Sequence, residues 1–117
     1  MFDTPTLKKL DDDTLTAFVA GRGLGLVLFG SHNGKPTLAQ CHVFADLWAD
    51  RFSDVRFGYI DALCCEASKR HYAVRMLPTL LLVRDGRVIG KLEGFHDRER
   101  LEAALEPRIE SVVARAA

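Results

Sequence analysis

MLPTLLLVRDGRVIG, residues 76–90, is the stretch that decides the fold. The pair Leu77-Pro78 leads into an unbroken apolar run, Leu80–Val83, as expected for a strand that is buried on both faces. Asp85-Gly86 is a strong signal for a two-residue hairpin turn, so the chain returns as a second strand through Arg87–Gly90. The stretch predicts an antiparallel pair of strands that is entered through Leu77-Pro78, a bond that proline allows to be cis at small cost.

A strand–loop–helix unit lies upstream of this hairpin. The apolar run Gly25–Phe29 predicts a buried strand, and the loop Gly34–Thr37 joins it to an amphipathic helix over Thr37–Phe52. We expect one stripe of this helix to face the core, and its members are Leu38, Cys41, Phe44, Ala45, Trp48 and Phe52.

The remaining patterns complete the order β-α-β-α-β-α-β-β-α. They predict strands over Pro5–Leu10 and Val55–Ile60, and helices over Asp13–Ala20, over Leu63–Tyr72 and from Asp97, with Asp11–Asp13 at the start of the first helix. Leu101, Ala104 and Leu105 of the last helix are expected to face inward. Strands that are linked first by helices and last by a hairpin predict an α/β fold with a mixed central sheet and helices on both faces. We expect one domain over residues 1–117, with its core at 6–106 and a helical extension at 107–117.

Composition is that of an ordinary globular protein. A chain of 117 residues is long enough for one core and too short for two. Its 16 basic and 16 acidic side chains cancel, so no overall charge draws it to nucleic acid or to an anionic membrane. The N-terminus lacks the features of a signal peptide, and no apolar run is long enough for a membrane helix. We expect a cytoplasmic protein that binds neither nucleic acid nor membranes.

Three cysteines, an odd number, fit a reducing compartment. Cys41 lies on the apolar stripe of its helix and is expected to be a small buried hydrophobe. Cys64 and Cys65 follow Asp61 at the end of a strand and are candidate redox residues, because adjacent cysteines can form a strained ring disulfide. The alternative is one thiol in the core and one at the surface. The cysteine and histidine spacings match no standard metal motif, so no metal or other cofactor is expected.

The order and spacing of these motifs resemble the thioredoxin superfamily. Pro36 falls at the proline of that family's active-site loop, Pro78 at its cis-proline, and Gly94 sixteen residues later at the glycine that ends its last strand. The resemblance implies that an extended peptide lies across the loop and pairs with backbone beside the cis-proline. The peptide-binding residues that it implies are Lys35, Pro36, Thr37, Leu77, Pro78, Thr79, Phe95 and His96, with His32 and Asn33 beside them.

The cysteine positions of that loop are occupied by other residues in this chain. Gly34 cannot attack a disulfide and Thr37 cannot resolve a mixed one, although Thr37 is a good helix N-cap. Leu28 stands where thioredoxins carry a buried aspartate, and a buried carboxylate is costly to keep. The sequence therefore predicts no redox chemistry at this loop, no catalytic residue, and a protein that is not an enzyme.

A narrower resemblance is to the thioredoxin-like hydrogenase-expression proteins, which are small, cytoplasmic and bacterial and lack the cysteine pair. It rests on the thiol-free loop with Pro36, on the span from Asp61 to Pro78 and on Gly94-Phe95-His96. It implies a protein-binding or chaperone module for the small subunit of nickel–iron hydrogenase or its twin-arginine signal peptide. Acidic residues that follow the loop proline in that family are replaced by Thr37 and Gln40, which removes partners for guanidinium groups. The alternatives are a thiol-disulfide oxidoreductase or redox sensor that uses Cys64 and Cys65, and a structural subunit of a larger assembly.

Overall fold

The structure, a computed structural model, describes residues 7–31, 34–50 and 54–106. Five strands and four helices are found in these ranges. The strands are β1 (Leu7–Leu10), β2 (Leu24–Gly30), β3 (Arg56–Asp61), β4 (Thr79–Arg84) and β5 (Arg87–Glu93), and the helices are α1 (Leu15–Ala20), α2 (Lys35–Asp50), α3 (Glu66–His71) and α4 (98–106). The predicted extension at 107–117 and the start of the predicted first strand lie outside the described residues.

The five strands form one mixed sheet in the order β1-β3-β2-β4-β5. β1, β3 and β2 run parallel, whereas β4 is antiparallel to both β2 and β5. The hairpin between β4 and β5 turns at Asp85 and Gly86, whose φ angles of 49° and 86° are those of a type I′ turn. The Leu77-Pro78 bond is cis. The predicted mixed-sheet α/β fold, the hairpin and the cis bond are thus confirmed.

Two apolar clusters cover the two faces of the sheet. One contains Cys41, Phe44 and Leu47 of α2 together with Leu101 and Leu105 of α4. The other contains Leu15 and Val19 of α1, with Cys65 and Val74 on either side of α3. Every residue of β2 is buried, because β2 is central in the sheet and is covered on both faces.

The inward stripe of α2 differs from the predicted one. Its buried residues are Thr37, Gln40, Cys41, Phe44 and Leu47, whereas Leu38 is 40% exposed and Ala45 is half-buried. The buried stripe begins at Thr37 and not at Leu38. Leu38 is the next residue along the helix, so its side chain points away from the core. The prediction for Leu38 was wrong, and the side chains of Trp48 and Phe52 lie outside the described part. Ala104 of α4, also expected inward, is half-buried.

The acidic turn before α1 stabilises two helices. Asp11 Oδ1 accepts hydrogen bonds from the backbone N–H of Asp13 and Thr14, both at 2.9 Å. Hydrogen bonding from Thr14 is the main cause that lowers the pKa of Asp11. Asp11 thus closes the turn that precedes α1, whereas the N-cap residue of α1, Thr14, makes no side-chain cap bond. Asp12 Oδ1 accepts from both N–H and Oγ of Ser68 in the first turn of α3, at 2.9 and 2.6 Å. Asp12 therefore caps α3 from a distant part of the chain.

Gly30, the last residue of β2, lies against Thr37, and a side chain at this position has no room. A Cβ on Gly30 would collide with Thr37 Cγ2 and would lie 2.8 Å from Thr37 Oγ1. We expect Gly30→Ala to lower the free energy of unfolding by about 1–3 kcal/mol, as overpacking does. In a Thr37→Ala background the same substitution is expected to cost less than half as much. Urea unfolding of the four proteins checks this, and equal costs in both backgrounds would contradict it.

Candidate functional site

Four segments meet at the end of the sheet where β2 and β3 finish, and we call this region the loop end. Gly30 pairs with Asp61, and the N–H of Ala62 donates to Gly30 O at 2.9 Å. On the other side of β2, Phe29 pairs with Thr79, which pairs in turn with Glu93. The loop end therefore brings together residues 30–31, 34–37, 61–64, 76–79 and 94–96.

The loop after β2 is closed by hydrogen bonds. The N–H of Gly34 donates to Ser31 O, and the N–H of Leu38 donates to Gly34 O, both at 3.0 Å. α2 consequently begins at Lys35, two residues earlier than predicted. Thr37 is then inside the helix and is not its N-cap, so that prediction was wrong. Its buried Oγ1 accepts instead from the N–H of Ser31 at 3.0 Å, which ties the start of the loop to the helix.

The turn before Pro78 leaves peptide backbone available. Thr79 Oγ1 donates to Met76 O at 2.6 Å, and Gly94 N–H donates to Pro78 O at 2.8 Å. Among the described residues, neither backbone group of Leu77 has a hydrogen-bond partner. A second strand segment can pair with this residue, as in β-augmentation.

Apolar side chains stand beside this turn. Met76 is 48% exposed and Phe95 is 40% exposed. The Cε of Met76 lies 3.7 Å from the position of a Cβ on Gly94, so Met76 covers the glycine that precedes Phe95. Met76 was not among the predicted site residues. The signal for Met76 was its place directly before Leu77-Pro78.

The predicted peptide-binding residues fall into three groups by exposure. Lys35, Pro36 and Phe95 are exposed, and Leu77 and His96 are half-buried. The side chains of Thr37, Pro78 and Thr79 are buried, so they support the surface from within. His32 and Asn33 lie outside the described residues.

Gln40 is the main residue that the sequence-based reasoning missed. Its side chain is fully buried, yet both of its polar atoms are bonded to the backbone of His96. Gln40 Nε2 donates to His96 O at 2.9 Å, and His96 N–H donates to Gln40 Oε1 at 2.8 Å. A polar residue within the buried stripe of an amphipathic helix was the signal that could have identified it.

The three thiols differ in their surroundings. All are free; Cys41 and Cys65 are buried and Cys64 is exposed. Burial raises the pKa of Cys41 to about 11, and burial followed by the charge of Asp12 raises the pKa of Cys65. Cys64 Sγ donates to Asp61 Oδ2 at 3.7 Å, in a turn that Asp61 also holds by accepting from Leu63 N–H. The alternative of one thiol in the core and one at the surface is confirmed.

Other chemistry has little support in the described part of the chain. No group of three or more His, Cys, Asp or Glu side chains there is arranged to hold a metal ion. Burial, followed by the nearby charge of Asp61, raises the pKa of Tyr59 to about 12, so the phenol keeps its proton at neutral pH. None of the helices in the described ranges combines the length and the apolar character needed to cross a bilayer.

A mixed five-stranded sheet with a cis-proline before its hairpin defines the thioredoxin-like class of folds. The chain belongs to the thioredoxin family, whose model matches residues 36–107, more than half of its length. It is 28% identical over 74 residues to thioredoxin C-2 of Corynebacterium nephridii, a match that covers 63% of this chain and 68% of that protein.

Two solved yeast structures share the fold. Oxidized mitochondrial thioredoxin 3 from Saccharomyces cerevisiae gives a TM-score of 0.78 at 22% identity, over 86% of this chain and 94% of that one. A structure from work on thiol resolution in yeast mitochondrial 1-Cys peroxiredoxin by glutathione and thioredoxin systems also gives 0.78, at 21% identity, over 87% and 95% of the two chains.

Family membership corrects one prediction. Thioredoxins are thiol-disulfide oxidoreductases, so the family model and the related thioredoxin point to enzymatic redox activity. The expectation that this chain is not an enzyme is therefore wrong. The comparisons favour the alternative, a thiol-disulfide oxidoreductase or redox sensor, over a non-catalytic chaperone. They leave open which thiol is used, since Gly34 and Thr37 occupy the family's cysteine positions.

Thiol labelling is expected to separate the three cysteines. In the native protein one thiol should react rapidly with an aromatic disulfide reagent, and Cys64→Ser should remove that phase while Cys41→Ser leaves it unchanged. At pH 7 a thiol of pKa about 11 is thiolate in roughly one molecule in ten thousand, so Cys41 should react only after unfolding. A rapid phase that survives Cys64→Ser would contradict this assignment.

The loop itself is expected to accept a dithiol. A Cβ on Gly34 would lie 3.3 Å from the side chain of Ser31, which is a tight contact. It would also lie 3.4 Å from Thr37 Oγ1, so positions 34 and 37 are near enough for a disulfide. We expect Gly34→Cys combined with Thr37→Cys to form an intrachain disulfide and to reduce insulin faster than the natural chain. Gly34→Cys alone is the control and should not show this gain. Two thiols that remain free under oxidising conditions would contradict the expectation.

Proposed function

We propose that this thioredoxin-family chain carries out thiol-disulfide exchange through one thiol, that of Cys64. The observation that carries the proposal is its exposure at the loop end, in contrast to the burial of Cys41 and Cys65. The turn that holds Cys64 starts at Asp61, which pairs with the last residue of β2. The thiol thus stands beside the loop in which the family places its own cysteines.

The proposed exchange has two steps. The thiolate of Cys64 attacks one sulfur of a disulfide in a protein or peptide, a mixed disulfide forms, and the other sulfur leaves as a thiolate. A small thiol of the glutathione class, as its thiolate, then attacks the substrate sulfur of the mixed disulfide, so that a disulfide between the small thiol and the substrate forms and Cys64 leaves as a thiolate. The proton that each attacking thiol loses passes to water, and each leaving thiolate takes one back. In solution a second small thiol then displaces the substrate from that disulfide, so the two small thiols supply two electrons and end as one disulfide, and the substrate disulfide ends as two thiols.

Cys65 is unsuited to the resolving role despite its adjacency. It lies in the apolar cluster on the α1 and α3 face, and burial raises the pKa of its thiol. Because only the thiolate attacks a disulfide, resolution falls to a thiol from solution. This supports a monothiol mechanism rather than a disulfide between Cys64 and Cys65. Three free thiols also favour a reducing compartment, so we place the protein in the cytoplasm.

The exchange is tested by intact mass and by thiol release. Mixed with a peptide dimer that is linked by one disulfide, the natural chain and Cys41→Ser should each gain one peptide and release one equivalent of thiol, whereas Cys64→Ser should do neither. With glutathione present, the natural chain should turn over repeatedly. A synthetic peptide of residues 61–66 with Cys65→Ser is the control for an ordinary exposed cysteine. Exchange no faster than with that peptide, or unaffected by Cys64→Ser, would contradict the proposal.

A second candidate function is binding of an extended peptide at the loop end. Leu77 offers its backbone, while Met76 and Phe95 offer apolar surface beside it. A small contact of this kind supports affinity of roughly micromolar strength. The hydrogenase small subunit or its twin-arginine signal peptide is the partner that the narrower sequence resemblance proposes, in a bacterial cell.

Amide chemical-shift mapping tests this partner. The signal peptide should perturb the amides of Lys35, Thr79 and His96, and a peptide of the same composition in scrambled order is the control. Equal shifts with both peptides would show that the surface binds peptides but does not select the signal peptide, and would contradict this partner. No shifts at millimolar peptide would contradict peptide binding at the loop end.

A further inference from the structure

Residues 94–96 form the wall of the loop end that carries Phe95, and they belong to neither a strand nor a helix. β5 ends at Glu93, and α4 begins at residue 98. Gly94 N–H is bonded to Pro78 O, which fixes the start of the segment. Beyond that point, the backbone bonds of His96 are both made to the side chain of Gln40.

Two parallel bonds from one amide fix direction as well as distance. Gln40 offers one donor and one acceptor, and His96 uses its carbonyl and its N–H on them, much as two paired strand residues would. Gln40 is itself immobilised, because it is fully buried and its neighbour Cys41 lies in the core cluster. The position of the segment is therefore set by α2, the helix that follows the loop.

The core does not need a polar residue at position 40. Cys41, Phe44 and Leu47 continue the same inward stripe with apolar side chains, and an apolar residue would satisfy the packing equally well. A buried amide is retained at low cost only when its polar atoms are bonded. Its presence is explained by its two bonds to the backbone carbonyl and N–H of His96, the residue that follows Phe95.

The ring of His96 is oriented by the same segment. Its Nδ1 lies 3.0 Å from Gly94 O. A carbonyl oxygen can only accept, so Nδ1 carries the proton and Nε2 of the neutral ring is left as an acceptor. The wall thus presents an apolar ring at Phe95 and a hydrogen-bond acceptor at the next residue.

We infer that Gln40 is a positioning residue for peptide binding, and that the wall it holds selects extended peptides in which a hydroxyl or amide donor follows an apolar side chain. The apolar side chain packs on Phe95 and Met76, and the donor meets His96 Nε2. This inference rests on the peptide-binding candidate proposed above. It adds the residue that aligns the surface and the chemical class of peptide that the surface prefers.

The test uses the full chain with Gln40→Met, which keeps the length of the side chain and removes both polar atoms. The probe is a capped decapeptide that contains one leucine followed by one serine and otherwise only glycine and alanine, and a second peptide has that serine replaced by alanine. Leu47→Ala, a buried change on the same helix, is the control for loss of stability. Binding is followed by amide shifts, and the rigidity of residues 94–97 by heteronuclear NOE.

We expect Gln40→Met to bind the serine peptide about tenfold more weakly, a loss equal to one well-placed contact, with reduced NOE values over residues 94–97. Leu47→Ala should bind like the natural chain, and the rate of labelling at Cys64 should be unchanged in both. Gln40→Leu also removes both polar atoms, so it should bind as weakly as Gln40→Met, and it replaces Gln40→Met if that variant does not fold.

The failures of the two proposals are distinguishable. If the natural chain binds and Gln40→Met binds equally well, Gln40 has no positioning role and peptide binding stands. If the natural chain prefers neither peptide, the proposed selectivity is wrong. If the natural chain binds no peptide, the peptide-binding candidate and the selectivity both fail. The positioning role is then decided by the NOE values alone, and unchanged values over residues 94–97 would overturn it.

Discussion

The burial of β2 on both faces and along both edges is the constraint on which the rest of the structure depends. All seven of its residues are buried, with β3 bonded along one side and β4 along the other. A strand in this position must be followed by a sharp departure from the sheet. The last residue of the strand, Gly30, has no side chain, and Thr37 of the next helix fills the space that a Cβ on Gly30 would need. The loop, the turn that follows β3 and the turn before β4 all take their places from this strand.

The proposed thiol exchange and the proposed peptide binding involve different strands beside β2. The exposed thiol of Cys64 follows β3, whereas the free backbone of Leu77 precedes β4. Between them, the loop carries a hydrogen bond from Ser31 to Thr37 in the place where a thioredoxin has its dithiol. The family fold is thus kept, the proposed peptide surface lies beside Leu77, and the one exposed thiol stands to the side of the family's usual position. A single thiol in that place is compatible with exchange that relies on a second thiol from solution.

Sequence reasoning reached the sheet and the hairpin because each depends on local signals, and it reached the cis-proline through the family resemblance. Apolar runs mark buried strands, and Asp85-Gly86 selects one turn type. It failed where tertiary contacts decide. The inward direction of Gln40 depends on a partner that is 56 residues away, and the cap that Asp12 places on Ser68 spans the same separation. Neither pairing leaves a periodic trace in the sequence, although a glutamine in an apolar stripe is a visible irregularity. The split of Cys64 and Cys65 between surface and core was left open for the same reason, since it depends on where α3 begins.

The opposite end of the sheet differs from the loop end, where we propose that function lies, in how its backbone groups are bonded. There, the guanidinium of Arg56 donates to Phe18 O at 2.6 Å and to Gly23 O at 3.3 Å, and lies 4.7 Å from the ring centroid of Phe18. A Cβ on Gly21 would lie 2.5 Å from the same guanidinium, so this end is filled by its own backbone and one cation. Carbonyl groups that are already bonded internally have less need of a partner in a ligand than unpaired ones. At the loop end the corresponding groups of Leu77 have no such partner within the described ranges. The two ends therefore differ in which backbone groups the fold leaves for another molecule. At the loop end these are the groups of Leu77, and Gln40 fixes residues 94–96, the wall beside them.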